Sequence, residues 1–578
     1  MLSIRIIFLF FLTLNSKTLA KSVQSDLSSD VNIKWVDDKF VLELLKQPSR
    51  NNSTLVIIDT RSSNEYNGWK SFEKYDYNTD LLNVFYGHFK GAVNFEVEWL
   101  FNYNETQLND LFTNRVGLLQ IPDEEIIGNQ TTEENSYEIL IYDTKLERLE
   151  AMRDYFLNKY RIQTLYLYKI IDKKVLYEEL EKQNLTHLTE YEPAYDILVS
   201  PEFLYSLIFN PIASIATTYR IANLTQTTPS LVQPIPNYKL FDVSNVDENQ
   251  FYMISHIPTS VHLSTNEVEE PPLWNRKSRA KLIELLAELG IRENNTELII
   301  FYGNPDPMAA FRAAVIFKWL GVNNVRVLNG GYKSWLRRNF PIEKKFNKRI
   351  PVEKSEAYFN NKIDTEKSTY IVNMEFMQDL VKNFNTFWDQ YSVIDIRTWK
   401  EFSGEVSGYE DLNITGRIPG SIWGKAGYTI YDLEDYRNPD STMRSSDDIR
   451  AMWTQLGIDY KNKHLIFYCG NGWRAGEVLI YAEIMGLTRI SLYDGGWYEW
   501  TSLANNTIEK GLPQFSTFNW DSYGSTKIIA NNSKLGNDTF TDNHDIAKSD
   551  AKSSANKLFS FNIFALFNLV SGCLYFNF

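Results

Sequence analysis

The sequence predicts an α/β protein of three tandem domains, each a parallel sheet flanked by helices, and three observations lead there. At 578 residues the chain is too long for one hydrophobic core, since single domains usually hold about 100–200 residues. A layout of β-branched run, acidic turn and second apolar run recurs three times along it. Each second run is followed by a loop and an amphipathic stretch, the alternation that builds parallel βα units with ligands at the carboxyl ends of the strands. Hydrophobic residues at 43% and aromatics at 14% supply the apolar surface of a globular protein. A net charge of −14 argues against nucleic acid as a partner, because phosphates would be repelled rather than neutralised.

The first segment reads Val56-Ile57-Ile58-Asp59-Thr60-Arg61, then Glu65-Tyr66, then Gly87-His88-Phe89-Lys90-Gly91-Ala92. The second reads Leu240-Phe241-Asp242-Val243, then Ser255-His256-Ile257-Pro258-Thr259-Ser260. The third reads Val393-Ile394-Asp395-Ile396-Arg397, then Glu401-Phe402, then Gly416-Arg417-Ile418-Pro419-Gly420-Ser421. Each opening run has the β-branched character of a buried parallel strand. The later runs are Ile139–Tyr142, Leu298–Tyr302 and Leu465–Tyr468. After the third, Val478, Ala482 and Met485 recur at near-helical spacing and are expected to face a sheet. A further run, Ile490–Tyr493, leads into the turn Asp494-Gly495-Gly496-Trp497, which Asn329-Gly330-Gly331-Tyr332 echoes in the second segment.

The strand–Asp-x-Arg opening, the Gly-Arg-Ile-Pro-Gly-Ser turn, the apolar strand ending in Cys469 and the late Asp-Gly-Gly-Trp together resemble the rhodanese family. Within it, Tyr468-Cys469-Gly470-Asn471-Gly472-Trp473-Arg474, Trp423–Gly427 and Asn438–Arg444 are similar to the three-domain thiosulfate sulfurtransferases. The resemblance spans about residues 31–525 and is sharpest in the third segment. It implies three rhodanese-like domains, at 31–190, 191–347 and 350–525. Aligned on the preceding tyrosine, Cys469 corresponds to Asp143 and to Gly303. Neither can carry sulfur, so the first two domains are expected to be silent, although Arg148 stands where Arg474 does.

Sulfur transfer needs a thiolate, and an ordinary cysteine ionises only near pH ~8.5. Cys469 precedes a helix beginning near Trp473, whose free N–H groups are expected to face the sulfur and favour its anionic form. Gly470, Asn471 and Gly472 can curl into an anion-binding cradle. Trp473, Arg474 and Arg417 complete the expected substrate-binding set: Arg474 is expected to hold substrate or stabilise the loop, Trp473 to pack over the loop or contact substrate, and Arg417, standing where the family motif often has histidine, to attract anions or be solvated. Asp395 and Arg397 are expected to form a structural pair beneath the site. Glu401 occupies a place where related enzymes often carry arginine, and a carboxylate there would repel an anionic donor. The implied chemistry moves sulfane sulfur from thiosulfate or a similar anion to cyanide or a thiol through a Cys469 persulfide. It requires no metal and no cofactor.

Two other chemistries fit less well. A phosphatase loop of the related cell-cycle type needs five residues between cysteine and arginine, whereas four intervene here. A Cys–His hydrolase would need a nearby histidine, and His464 sits five residues back on the same strand. The open alternative is a silent surface or binding protein that has kept the fold.

The ends read as processing signals. Met1–Ala20 carries Arg5 and the apolar run Ile6–Leu12, the pattern of a secretory signal peptide. Residues 526–557 read as a polar stalk, and 558–578 is an uncharged tail with the pattern of a glycolipid-anchor signal. Eleven Asn-x-Ser/Thr sequons agree with a secretory route ending at the cell surface, with a lipid anchor as the membrane contact. Of the two cysteines, Cys573 lies in that tail, leaving Cys469 as a lone thiol.

Overall fold

The computed structural model describes most of residues 32–513; the longest stretches left out are 68–87, 113–136, 210–236 and 355–368, together with 1–31 and 514–578. The expected signal segment, stalk and apolar tail therefore lie outside the described residues, as does Gly87. The chain divides into a body, Met1–Phe518, and a tail, Asn519–Phe578; all described residues belong to the body, in which the three sheets mark a first, a second and a third unit. Among them, no helix is long and apolar enough to cross a membrane.

Three sheets follow one another along the chain. The first contains β1 (Asn32–Trp35), β2 (Ser49–Arg50), β3 (Ser53–Asp59), β4 (Ala92–Asn94), β5 (Tyr137–Asp143) and β6 (Ile162–Lys169). Their order is β1-β6-β5-β3-β2, with β4 also pairing β3, and only β2 runs antiparallel. The second contains β7 (Leu198–Val199), β8 (Tyr238–Ser244), β9 (Val261–Ser264), β10 (Leu298–Gly303) and β11 (Val325–Leu328), ordered β9-β8-β10-β11-β7. The third contains β12 (Ile371–Val372), β13 (Tyr391–Asp395), β14 (Ile422–Trp423), β15 (His464–Tyr468) and β16 (Ile490–Tyr493), ordered β12-β16-β15-β13-β14. Every pairing in the second and third sheets is parallel.

The two apolar runs that recur in the sequence are adjacent central strands in each sheet. Their register is the same three times over: Asp59 lies opposite Tyr142, Asp242 opposite Tyr302, and Asp395 opposite Tyr468. Each tyrosine hydroxyl then accepts one backbone amide from the turn that follows the opening strand. The donors are Phe89 at 3.0 Å, Ile257 at 3.0 Å and Ile418 at 3.2 Å. Continuous hydrophobic runs suit these strands because both faces are covered.

Helices follow the second runs: α1 (Leu146–Lys159), α2 (Pro307–Trp319) and, after the short α3 (Trp399–Ser403), α4 (Trp473–Ile484). A terminal helix, α5 (Gly496–Ser502), closes the third sheet. The expectation of an amphipathic α4 is corrected. Leu479, Ile480 and Tyr481 are buried as well as Val478 and Ala482, and Met485 is only the C-cap residue. The reason is that α2 packs against α4, with Phe311 and Tyr481 meeting edge to face at 5.3 Å, so the face turned away from the third sheet is also covered.

Candidate active site at Cys469

Cys469 ends the run Leu465–Tyr468 and is itself 1% exposed. The loop after it enters α4 with Gly472 at the N-cap in the left-handed region, φ +85°, a conformation that side chains with a Cβ seldom adopt. Beneath the loop, Arg397 forks onto Asp395 at 2.8 and 2.7 Å, and Tyr468 donates to Asp395 Oδ2 at 2.6 Å. Arg397 also donates to Gly416 O at 2.7 Å and lies 4.8 Å from the Trp497 ring centre. Burial pulls its guanidinium toward the neutral form, but the Asp395 charge outweighs this and holds it above its ordinary value.

The loop carbonyls are pinned from one side. Trp497 N donates to Cys469 O at 2.8 Å, and Tyr498 N donates to Gly470 O at 3.0 Å. A planar trans peptide points its C=O and the following N–H in opposite directions. The N–H groups of Gly470 and Asn471 are thereby turned away from α5. Among the described residues, no oxygen accepts from the amides of Gly470, Asn471, Gly472, Trp473 or Arg474. Successive unpaired amides at a helix N-terminus form a concavity suited to an anion.

Arg474, Arg417 and Trp473 are each held by partners within the protein. Arg474 is buried and forks onto Glu401, 2.9 Å to each oxygen, with a third bond of 2.9 Å to the Tyr409 hydroxyl. Burial works against its charge, yet Glu401 and Tyr409 hold it well above its ordinary value. Its guanidinium braces the loop from within rather than facing an open site. Glu401 correspondingly does not stand as a repelling carboxylate. Burial pushes it up, but Arg474 outweighs burial and brings it to about 2. The same carboxylate takes the Thr398 amide at 2.9 Å and so caps α3.

Arg417 is fully buried and donates to Phe402 O at 3.1 Å, Gly511 O at 2.6 Å and Glu509 at 2.5 Å. It lies 4.4 Å from the centre of the Phe402 ring. His88 stacks on Tyr66 at 3.8 Å in the first unit, and His256 on Tyr252 at 3.9 Å in the second, each with Nδ1 at that tyrosine's carbonyl. Arg417 therefore has the same packing role as those histidines, and its expected part in binding substrate is corrected. Trp473 is half-buried, its indole N–H donating to both oxygens of Glu269 in the second unit at 3.1 and 3.0 Å.

The two equivalent loops differ at the reacting position. Asp143 is buried, pushed up by burial, and accepts from Thr60 Oγ1 at 2.7 Å and Lys145 N at 2.9 Å. Arg148 sits 3.9 Å from Glu65 and 3.2 Å from Glu98, a looser version of the Arg474–Glu401 fork. A Cβ at Gly303 would overlap the Asp306 carbonyl, so that loop has no room for a side chain.

Tyr409 was not singled out by the sequence, yet a Cβ on Gly470 would overlap its hydroxyl, which places the phenol directly over the loop. It follows Gly408 in an irregular stretch with no period to read. Arg312 and Glu269, from the second unit, were also missed, since nothing local ties them to Cys469. Glu401 carried one readable signal, the capping-box spacing Thr398-x-x-Glu401.

A cysteine closing the central strand of a parallel sheet, followed by an amide cradle at a helix N-terminus, defines an α/β protein with a thiol beside a candidate anion site. The chain belongs to the rhodanese family: the model of the rhodanese-like domain matches residues 227–338 and 377–503. Thiosulfate sulfurtransferase YnjE of Escherichia coli (strain K12) is 32% identical over 454 residues, 78% of this chain and 88% of that protein. The sulfur carrier protein TtuD of Thermus thermophilus is 26% identical over 280 residues, 46% of this chain and 90% of its own. The crystal structure of YnjE superposes with a TM-score of 0.61 at 30% identity, covering 84% of this chain and 98% of that one. EanB in complex with ergothioneine gives a TM-score of 0.62 at 27% identity, covering 84% and 100%. These relatives support sulfurtransferase activity for the chain.

Proposed function

We propose that the protein transfers sulfane sulfur from thiosulfate or a similar anionic donor to a thiophilic acceptor through a persulfide on Cys469. The observation that carries this reading is the unpaired amide run Gly470–Arg474 beside Cys469, the lone thiol among the described residues. The Cys469 thiolate attacks the outer sulfur of the donor, the S–S bond of thiosulfate breaks, and sulfite leaves with the electron pair. The amides of Gly470, Asn471 and Gly472 face the resulting persulfide. Cyanide or a thiolate then attacks its outer sulfur, forming thiocyanate or a new persulfide and returning the thiolate to Cys469. Arg474, Glu401 and Tyr409 keep the loop closed around this exchange, and Asp395, Arg397 and Tyr468 support it from below.

Domain boundaries at 31–190, 191–347 and 350–525 remain our reading of the layout that recurs three times along the chain. A secretory route with a lipid-anchored tail remains our reading of the two ends. The test is thiocyanate formation from thiosulfate and cyanide by the purified full chain and by Cys469→Ser, with mass spectrometry for one added sulfur atom on Cys469. Hercynine, the ligand of a solved EanB complex, joins cyanide and a small thiol in the acceptor panel. Activity and sulfur uptake lost together in Cys469→Ser support the proposal. A parent protein that takes up no sulfur from several donors would falsify it and favour a silent binding protein.

A further inference from the structure

The second unit lacks a nucleophile, yet it reaches the Cys469 loop with a charged side chain. Arg312, on α2, is 0% exposed. It donates to Glu269 at 2.9 Å and to Trp274 O at 3.1 Å within its own unit, and it is ion-paired to Asp494 of the third. Its guanidinium touches the loop itself: a Cβ built on Gly472 would lie 2.7 Å from Arg312 Nη1. Asp494 takes a second bond from the second unit, 2.9 Å from the Arg276 amide. The neighbouring Asn275 donates to Glu499 at 2.8 Å. The short hairpin Glu269–Arg276 thus clasps the Asp494-Gly495-Gly496-Trp497 turn.

That turn orients the cradle. Asp494 opens it, and Trp497 and Tyr498 at its end hold the carbonyls of Cys469 and Gly470. Through the planar peptides, those two bonds set where the N–H groups of Gly470 and Asn471 point. We propose that Arg312 is a positioning residue for the reaction. By fixing Asp494 it sets the loop amides that hold the anionic donor, so the silent second domain supplies part of the catalytic domain's active site. This rests on the reading of the loop as an anion cradle. Lysine cannot replace the planar fork, because one ammonium cannot reach Glu269, Asp494 and Trp274 O in the arrangement a guanidinium spans.

The test reads the cradle without relying on sulfur transfer. Cys469 in the full chain is alkylated with iodoacetate, an anion, and with neutral iodoacetamide, and the ratio of the two rates is taken. Both reagents meet the same access barrier at a buried thiol, so access cancels and the ratio reports the anion site. Arg312→Lys and Asp494→Asn are each expected to lower the ratio about tenfold, and the double variant no further, because residues acting in one chain of contacts are non-additive. Circular dichroism and the melting transition check the fold. Unchanged ratios in folded variants, or additive losses in the double, overturn the proposal. So does a Cys469 that resists both reagents throughout, since a cradle that no anion reaches selects nothing. If Arg312→Lys does not fold, Glu269→Gln decides alone: it weakens the anchor of Arg312, and an unchanged ratio refutes the idea. Absence of sulfurtransferase activity in the parent would sink the proposed function without moving this ratio.

Discussion

Glu401→Gln should be among the most damaging single-atom changes near the site, and its size follows from the structure. The carboxylate is fully buried and is held at about 2 against an ordinary 4.5, with Arg474 overcoming the burial that would raise it. That interval, at about 1.4 kcal/mol per pH unit, corresponds to about 3 kcal/mol. Breaking one partner of a buried ion pair typically costs about 3–5 kcal/mol, because the other charge is left uncompensated. The direction with pH follows. A carboxylate whose folded value is depressed contributes stability above its ordinary value and loses it as pH falls from 4.5 toward 2. The gap between parent and Glu401→Gln should therefore be about 3 kcal/mol at pH 7 and close progressively on acidification, as protonated Glu401 comes to resemble glutamine. Urea unfolding across that pH range, followed by tryptophan fluorescence, measures it. A gap below about 1 kcal/mol at pH 7, or one that does not shrink with acid, refutes the assignment of Arg474 as a braced residue.

Gly470→Ala would force the Tyr409 ring aside, with its Cε2 only 2.7 Å from the new Cβ, and break the 2.9 Å bond from Arg474. Sulfur uptake should fall about 10- to 100-fold, as displacements near 1 Å do at a reacting centre. In a Tyr409→Ala background, where the space is free, the same change should cost much less. Equal losses in both backgrounds contradict the contact. In the second unit, burial raises Asp242 to about 7, although Tyr302 and Asn304 oppose the shift. The folded state then holds more protons than the unfolded one between pH 3.8 and 7, so stability falls as pH rises through that window. Asp242→Asn should flatten this slope in melting curves, and an unaltered slope would show that Asp242 does not titrate there.

The strands were legible because buried parallel strands are short continuous apolar runs, and because a layout repeated three times is hard to produce by chance. Cys469 was legible as a lone thiol at a strand end. Much of the surrounding electrostatics was not. Glu401 and Arg474 are 73 residues apart, and with no partner in view the carboxylate reads as a repelling charge and the guanidinium as either a substrate group or a brace for the loop. Arg417 was misplaced by comparison with a motif, whereas the chain's own repeats held the better clue. In each unit an aromatic residue precedes the motif position, Tyr66 before His88, Tyr252 before His256 and Phe402 before Arg417, and all three pairs stack. The second buried face of α4 was invisible because its cover, α2, comes from another unit.

The second unit shows why a domain without a nucleophile need not be idle. Where the third unit has Arg397 beneath its loop, the second has Ser244, and among the described residues no arginine pairs with Asp242, which accepts from Asn304 instead. Its own loop has no room for a side chain at Gly303. At the same time it buries Arg312, Glu269 and the third unit's Asp494 in a contact that apolar residues could fill. Replacing buried ion pairs by well-packed hydrophobic residues is often neutral or stabilising. Adhesion between the units therefore does not explain the charges. Geometry does: a guanidinium fork holds a carboxylate in one orientation, and that carboxylate opens the turn on which two loop carbonyls hang. A domain retained only as a spacer would be expected to tolerate Arg312→Met with Glu269 and Asp494 made apolar, keeping its fold and the anion preference of Cys469. One that orients the loop should keep the fold under that replacement and lose the preference.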